Sequence, residues 1–198
     1  MATGGSDGAC LSNSPAAPFL TVGHALTCAT DGDSIRIAAG SYAGGFTVAH
    51  NVTLQGAGAG ATTLQGGATV VTISSGVTAA SLLDLTITSG SGAVLGGGID
   101  NAGTLTVGNS ILSGNSATYG GGVYNQGHLT VDNSTLSGNH ATQGGGIFDD
   151  GTVTLDNSTL SGNQAGYGGG IFNDNTVTLV NSTVSSNTAS NAGGGIYN

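Results

Sequence analysis

The stretch Thr152-Val-Thr-Leu-Asp-Asn-Ser-Thr-Leu-Ser-Gly-Asn163, followed by Gly168-Gly-Gly-Ile-Phe-Asn173, decides the fold because it recurs. Close copies of the first part run over Thr104–Asn115, His128–Asn139 and Thr176–Asn187. Triple glycines followed by a branched residue stand at Gly96–Ile99, Gly120–Val123, Gly144–Ile147, Gly168–Ile171 and Gly193–Ile196. The intervals are 24, 24, 24 and 25 residues, the last with one inserted residue near Asn191–Ala192. A fixed period of this length means stacked units that share one long core.

Twenty-four residues suit one coil of a β-solenoid, with equivalent residues ~4.8 Å apart along the axis. Each coil holds three short strands, for example around Gly98–Asn101, Thr104–Val107 and Ser110–Ser113. Period-2 alternation sorts their faces. Ile99, Val123, Ile147, Ile171 and Ile196 form one inward column. Leu105, Val107 and Leu112 with their equivalents form three more, and Ala117, Ala141, Ala165 and Ala189 fill a narrow corner. Thr104/His128/Thr152/Thr176 and Thr106/Thr130/Thr154/Thr178 point outward, as suits a solvated strand face. Asn columns mark three corners, headed by Asn101, Asn109 and Asn115, and stacked amides are expected to bond along each.

Composition agrees. The 198 residues include 39 Gly, ten Asp, no Glu, no Lys and a single Arg, Arg36. Long-chain helix formers are nearly absent, and Thr, Val, Ile, Ser, Asn and Gly favour strands joined by tight turns. The formal charge of −9 makes nucleic acid a poor partner, and no apolar run is long enough to insert in a membrane. No signal peptide is visible after Met1. Cys10 and Cys28 are expected to form a disulfide, with two buried thiols as the alternative.

One domain spans 1–198: a lead-in and cap over 1–33, irregular coils over 34–95, and regular repeats over 96–198. Within the cap, Val22, Ala25, Leu26 and Ala29 share one helical face, so a short helix is expected over Thr21–Thr30, covering the first apolar layer. Ile35 and Ile37 flank Arg36 in a strand pattern, and Phe46–Val48, Val52–Leu54, Thr63–Leu64 and Val70–Ile73 follow. Roughly six or seven coils are expected.

The segment from Pro18 to Gly56 carries Pro-Phe-Leu-Thr-Val, then Asp31-Gly-Asp-Ser-Ile-Arg-Ile-Ala-Ala-Gly-Ser-Tyr42, then Asn51-Val-Thr-Leu-Gln-Gly56. It resembles the capped start of right-handed parallel β-helix proteins of the pectate-lyase-like superfamily. The Gly-Gly-Gly-Ile-Phe-Asn units resemble repeats of bacterial surface proteins, including the chlamydial polymorphic outer-membrane protein repeat. Together the resemblances cover nearly the whole chain. They imply an all-β right-handed parallel β-helix, but the superfamily's functions range from lyases and hydrolases to adhesins.

Chemistry is sparse. The resemblance implies that a lyase of this kind uses Arg or Lys beside calcium-binding carboxylates, yet Arg36 lies in the first coil, away from the regular Asp positions. Asp149-Asp150 is the one adjacent acid pair, read as a turn. Asp132 with Asp156, and Asp150 with Asp174, should stack on adjacent coils, where like charges require solvent, a shared proton or a bridging calcium ion. His24, His50, His128 and His140 lack metal-ligand spacing. The sequons at Asn51, Asn133, Asn157 and Asn181 repeat because the coil does.

Three surfaces stand out. Tyr124, Phe148, Phe172 and Tyr197 form an outward aromatic column, either stacked between coils or open as a sticky stripe for sugar or protein. The Thr-x-Thr rungs have the pattern of an ice-binding face, interrupted by His128 and not continued in the earlier coils. Gly193, Gly194, Gly195, Ile196 and Asn198 begin a coil with no polar cap after it, a template for another copy stacking head-to-tail. The expectation is a non-enzymatic extracellular or cell-surface rod, adhesin or filament subunit, without cofactor. A carbohydrate-binding or carbohydrate-active β-helix is the alternative, and ice binding the lesser one.

Overall fold

A computed structural model describes residues 19–198. The chain opens with helix α1, Val22–Thr27, capped by the Thr21 hydroxyl, which accepts from the His24 backbone N–H at 3.2 Å. Val22, Ala25 and Leu26 are buried on the face expected, and α1 packs against the strand Phe46–Val48. From Ser34 onward the chain winds into an all-β parallel solenoid of seven turns. Three seven-stranded sheets run its full length.

The first sheet runs from Ser34–Arg36 to Thr176–Val180, the second from Phe46–Val48 to Ile196–Tyr197, the third from Gly40–Ala43 to Thr183–Ser185. Every pairing is parallel, and equivalent residues of successive repeats pair directly: Ile99 with Val123, Val123 with Ile147, Ile147 with Ile171. The same column reaches back through Val71 to Phe46, although the spacing there departs from 24. Irregular coils and regular repeats therefore share one core. Val48, Leu54, Leu64, Ile87, Ile99, Leu112, Val123, Leu136 and Ile147 have no exposed surface.

A fourth sheet of five strands begins at Ala93–Leu95 and continues through Ser116–Tyr119, His140–Gln143 and Gln164–Tyr167 to Thr188–Ala192. It lies where the sequence pattern placed only a narrow alanine corner. Ala141 and Ala165 do point inward, but their strand neighbours pair as a ladder. The inserted residue near Asn191–Ala192 is absorbed as an irregularity here, since Tyr167 pairs with Ala192 where Ala165 pairs with Ala189.

The triple glycines turn the chain from the fourth sheet into the second. Gly120 has φ +67°, and a Cβ on it would stand 2.2 Å from the Val123 carbonyl oxygen. A Cβ on Gly121 would meet the His140 carbonyl oxygen at 2.5 Å and that of Gly145 at 2.6 Å. No side chain fits there.

Candidate functional site

The three asparagine corners differ. Asn115, Asn139 and Asn163 are buried, and each donates its amide N–H to the next: Asn115 to Asn139 Oδ1 at 3.1 Å, Asn139 to Asn163 at 3.0 Å, Asn163 to Asn187 at 2.9 Å. Asn101 donates to Asn125 Oδ1, and Asn125 to Asp149 Oδ1, each at 2.7 Å. The third expected ladder does not form. Asn109, Asn133 and Asn157 are exposed with φ of 49°, 46° and 47°, so they serve as left-handed turn residues. Serine takes over the stacking one residue later. Ser134 Oγ accepts from the Ser110 backbone N–H at 3.0 Å, and Ser158 Oγ from that of Ser134 at 3.1 Å. Asn shares the left-handed preference with Gly, which is why the sequence alone does not separate the two roles.

The aromatic column is present but not open. Phe148 and Phe172 stack at 4.9 Å and 7°, Tyr124 on Phe148 at 5.3 Å, and Phe172 on Tyr197 at 5.0 Å. Such pairs contribute about 0.5–1.5 kcal/mol each. Tyr124, Phe148 and Phe172 are each only 8% exposed, so of the two readings the stacked one matches the geometry and the open stripe does not. The fourth sheet supplies the cover. Tyr119 meets Phe148 edge-on at 5.5 Å, Tyr167 meets Tyr197 likewise, and Leu95 joins the cluster. The sequence signal was available in Leu95, Tyr119 and Tyr167, which recur at the repeat spacing just before the glycines. Without the fourth strand they could not be aimed.

At the N-terminal end of that column Asp100 stands in register with Tyr124. Burial raises the Asp100 carboxyl above the ordinary carboxylate range. Burial also raises the Tyr124 phenol, helped by the charges of Asp150 and Asp100.

Asp132 and Asp156 pair in register as expected, and Asp156 Oδ1 is buried with no hydrogen-bond partner. Asp150 and Asp174 occupy equivalent turn positions, their backbone N–H groups donating to Asn125 and Asp149 carbonyls at 2.8 Å. Among the described residues no three His, Cys, Asp or Glu side chains gather in metal-ligating distance. A calcium ion at either pair would draw most of its six to eight oxygens from elsewhere. His50 Nδ1 lies 3.7 Å from Asp31 Oδ1. Cys28 Sγ lies 3.8 Å from His24 Nε2, while Cys10 and its expected disulfide to Cys28 fall outside the described residues.

The outward face of the first sheet is more continuous than its sequence suggests. Register places Ser34, Thr53, Ser81, Thr106, Thr130, Thr154 and Thr178 in one column, a hydroxyl on every coil. The paired Thr-x-Thr rungs themselves do stop at the regular repeats, as expected: Leu105 pairs with Ala80, which sets Ala79 beneath Thr104, so only the single hydroxyl column continues into the earlier coils.

In the last coil the carbonyls of Gly193, Gly194 and Gly195 accept from Gly169, Gly170 and Ile171 at 2.9–3.0 Å. Asn173 donates to Asn198 Oδ1. Ile196 and Leu179 are each 40% exposed, whereas their equivalents Ile171 and Leu155 have no exposed surface.

No protein-family model matches the chain, so the surface-protein repeat resemblance finds no support there, and no curated protein matches it either. The described β-helix does resemble solved structures. One is a pectin methylesterase mutant crystallised in complex with a hexasaccharide, at 17% identity and a TM-score of 0.59. The likeness covers 81% of this chain and 62% of that one, so this chain spans under two thirds of that enzyme's length. At that identity it shows the fold alone: a parallel β-helix of the kind seen in a carbohydrate-active enzyme.

Proposed function

We propose that this chain is a non-enzymatic structural β-solenoid of the cell surface or extracellular space, a rod or filament subunit with adhesive capacity. One observation carries the reading. The side chains that would mark a ligand site, the four rings and the asparagine amides, are engaged between coils. Such contacts hold a rod together. Its partners would be further copies of itself and glycans or a host surface, with neither nucleic acid nor membrane insertion in view of the acidic charge. Among the described residues, no helix is long and apolar enough to cross a membrane, which leaves β-barrels unaddressed.

Leu179, Val180 and Ile196 are exposed apolar side chains on the last described coil, a surface against which an added coil would pack. A second copy meeting it with its α1 end makes a heterologous contact, which propagates when it does not close. Light scattering and negative-stain microscopy over rising concentration test this. Rods that lengthen with concentration, and shorten in Leu179→Asp, are expected; compact monomers throughout would reject assembly.

The hydroxyl column on the first sheet favours a second reading, a carbohydrate-binding or ice-binding face. The hexasaccharide bound in the pectin methylesterase structure lends the carbohydrate version some support. Binding on a glycan array, or thermal hysteresis, lost in Thr130→Leu/Thr154→Leu would favour it over the rod.

A further inference from the structure

The ladder headed by Asn101 contains one carboxyl where the repeat calls for an amide. Asn101 Nδ2 donates to Asn125 Oδ1 at 2.7 Å, to the Gly103 carbonyl at 3.2 Å and to the His128 carbonyl at 3.3 Å. Asn125 Nδ2 repeats the set one coil on, with Asp149 Oδ1, Gly127 O and Thr152 O at 2.7, 3.1 and 3.2 Å. The next member is Asp149, which is fully buried and paired in register with Asn173. Its Oδ1 fills the acceptor role, taking the Asn125 amide and the Gly151 N–H at 3.1 Å. Its Oδ2 has no partner. Carried one coil on, the acceptor set that Asn101 and Asn125 use with their NH2 groups becomes Asn173 Oδ1, Gly151 O and Thr176 O at the Asp149 position. Asn173 Oδ1 is itself held as an acceptor by the Asn175 N–H at 3.3 Å. A carboxylate there meets only lone pairs.

We infer that Asp149 is held as a neutral carboxylic acid, its Oδ2–H donating to Asn173 Oδ1, so that one proton completes the ladder and its loss at higher pH opens it. The surroundings agree. Burial raises the Asp149 carboxyl, and the nearby carboxylates of Asp150 and Asp174 push the same way, against the hydrogen bonds from Asn125 and Gly151. Those two aspartates are the charged groups that act on it from its own coil and the next. Because the folded-state value lies above the ordinary 3.8, the stabilisation is complete below about pH 3.8 and fades as pH rises through the folded value. The device would loosen the coils on either side of Asp149 as pH rises through that folded value.

The test is Asp149→Asn in the full chain, melted between pH 3 and 9 beside the parent, with infrared spectroscopy of the parent's buried carboxyl. Expected are near-equal Tm values at pH 3, a variant Tm about 2–6 °C higher at pH 8, and a protonated-carboxyl band in the parent that the variant lacks. An equal or lower variant Tm at pH 8, or a variant that does not fold, overturns the proposal, since an amide should fit this slot better. So does a calcium-dependent rise in Tm confined to the parent, which would put a metal ion where the proton is proposed. An infrared spectrum showing only carboxylate at the pH where the fold is intact overturns it independently.

Discussion

The coils over 34–95 and the repeats over 96–198 share the inward columns of the three long sheets yet close their corners differently. In the early coils each corner is solved once. Asn51 Oδ1 accepts from the Thr78 and Ala79 N–H groups at 2.8 and 2.9 Å, and its own N–H donates to Asp31 Oδ1 at 2.8 Å. Buried Thr62 accepts from the Ala57 N–H at 2.9 Å and donates to the Ala38 carbonyl at 3.0 Å. In the repeats one solution is copied coil after coil, and each amide is both donor to one neighbour and acceptor from the other. Parallel pairing transmits the core register whatever the loop length. Side-chain ladders form where equivalent corner residues land on the same axis, and the Asn173–Asn198 bond survives the inserted residue because the fourth sheet absorbs it.

Three pairs of substitutions would sharpen that contrast. The largest effect is expected at the shared core, where the two regions should behave alike. Ile147→Ala and Leu64→Ala each remove a fully buried side chain. Each should lower unfolding free energy by about 2–5 kcal/mol in denaturant melts. A large difference between them would show that the early coils unfold separately.

The next effect divides the regions. Asn139→Ala removes a buried amide bonded to Asn163 and to the Leu112 carbonyl, and strands the N–H groups of Asn115 that it accepts. A loss of about 2–3 kcal/mol is expected, since both neighbours are left unsatisfied. Asn51→Ala lies at a half-buried corner that water can enter, and about 1 kcal/mol is expected. Equal losses would mean that the ladder adds nothing by repetition.

The smallest effect falls on the corner that looks like a ladder and is not. Asn133→Ala should cost about 1 kcal/mol for the left-handed backbone, and Asn133→Gly should leave Tm within about 2 °C of the parent. A loss in Asn133→Gly as large as that in Asn139→Ala would place a side-chain bond at this corner after all.

Much of the molecule was legible beforehand. The period gave coil length and strand order, alternation gave the inward columns, and Val22, Ala25 and Leu26 gave the covering helix. The aromatic column was identified by its spacing, but whether it faces water was not. Tyr119 and Tyr167 belong to a strand whose short pattern, such as Ser-Ala-Thr-Tyr, looks like a turn until it is paired on both sides. Likewise Asn109 and Asn115 are identical residues at two corners of one coil, one exposed at positive φ and the other buried in a ladder.

What the sequence alone determined is therefore the periodic part: parallel coils, a continuous apolar interior, glycine-lined turns and an acidic surface with a single basic residue. These follow from local rules, since alternation and period act along the chain. Tertiary structure decided the rest: the aromatic stack is covered, one hydroxyl column runs the full length, and Asp149 stands among acceptors. Each of these depends on which atoms of neighbouring coils come within bonding distance, and only the closed coil brings them there.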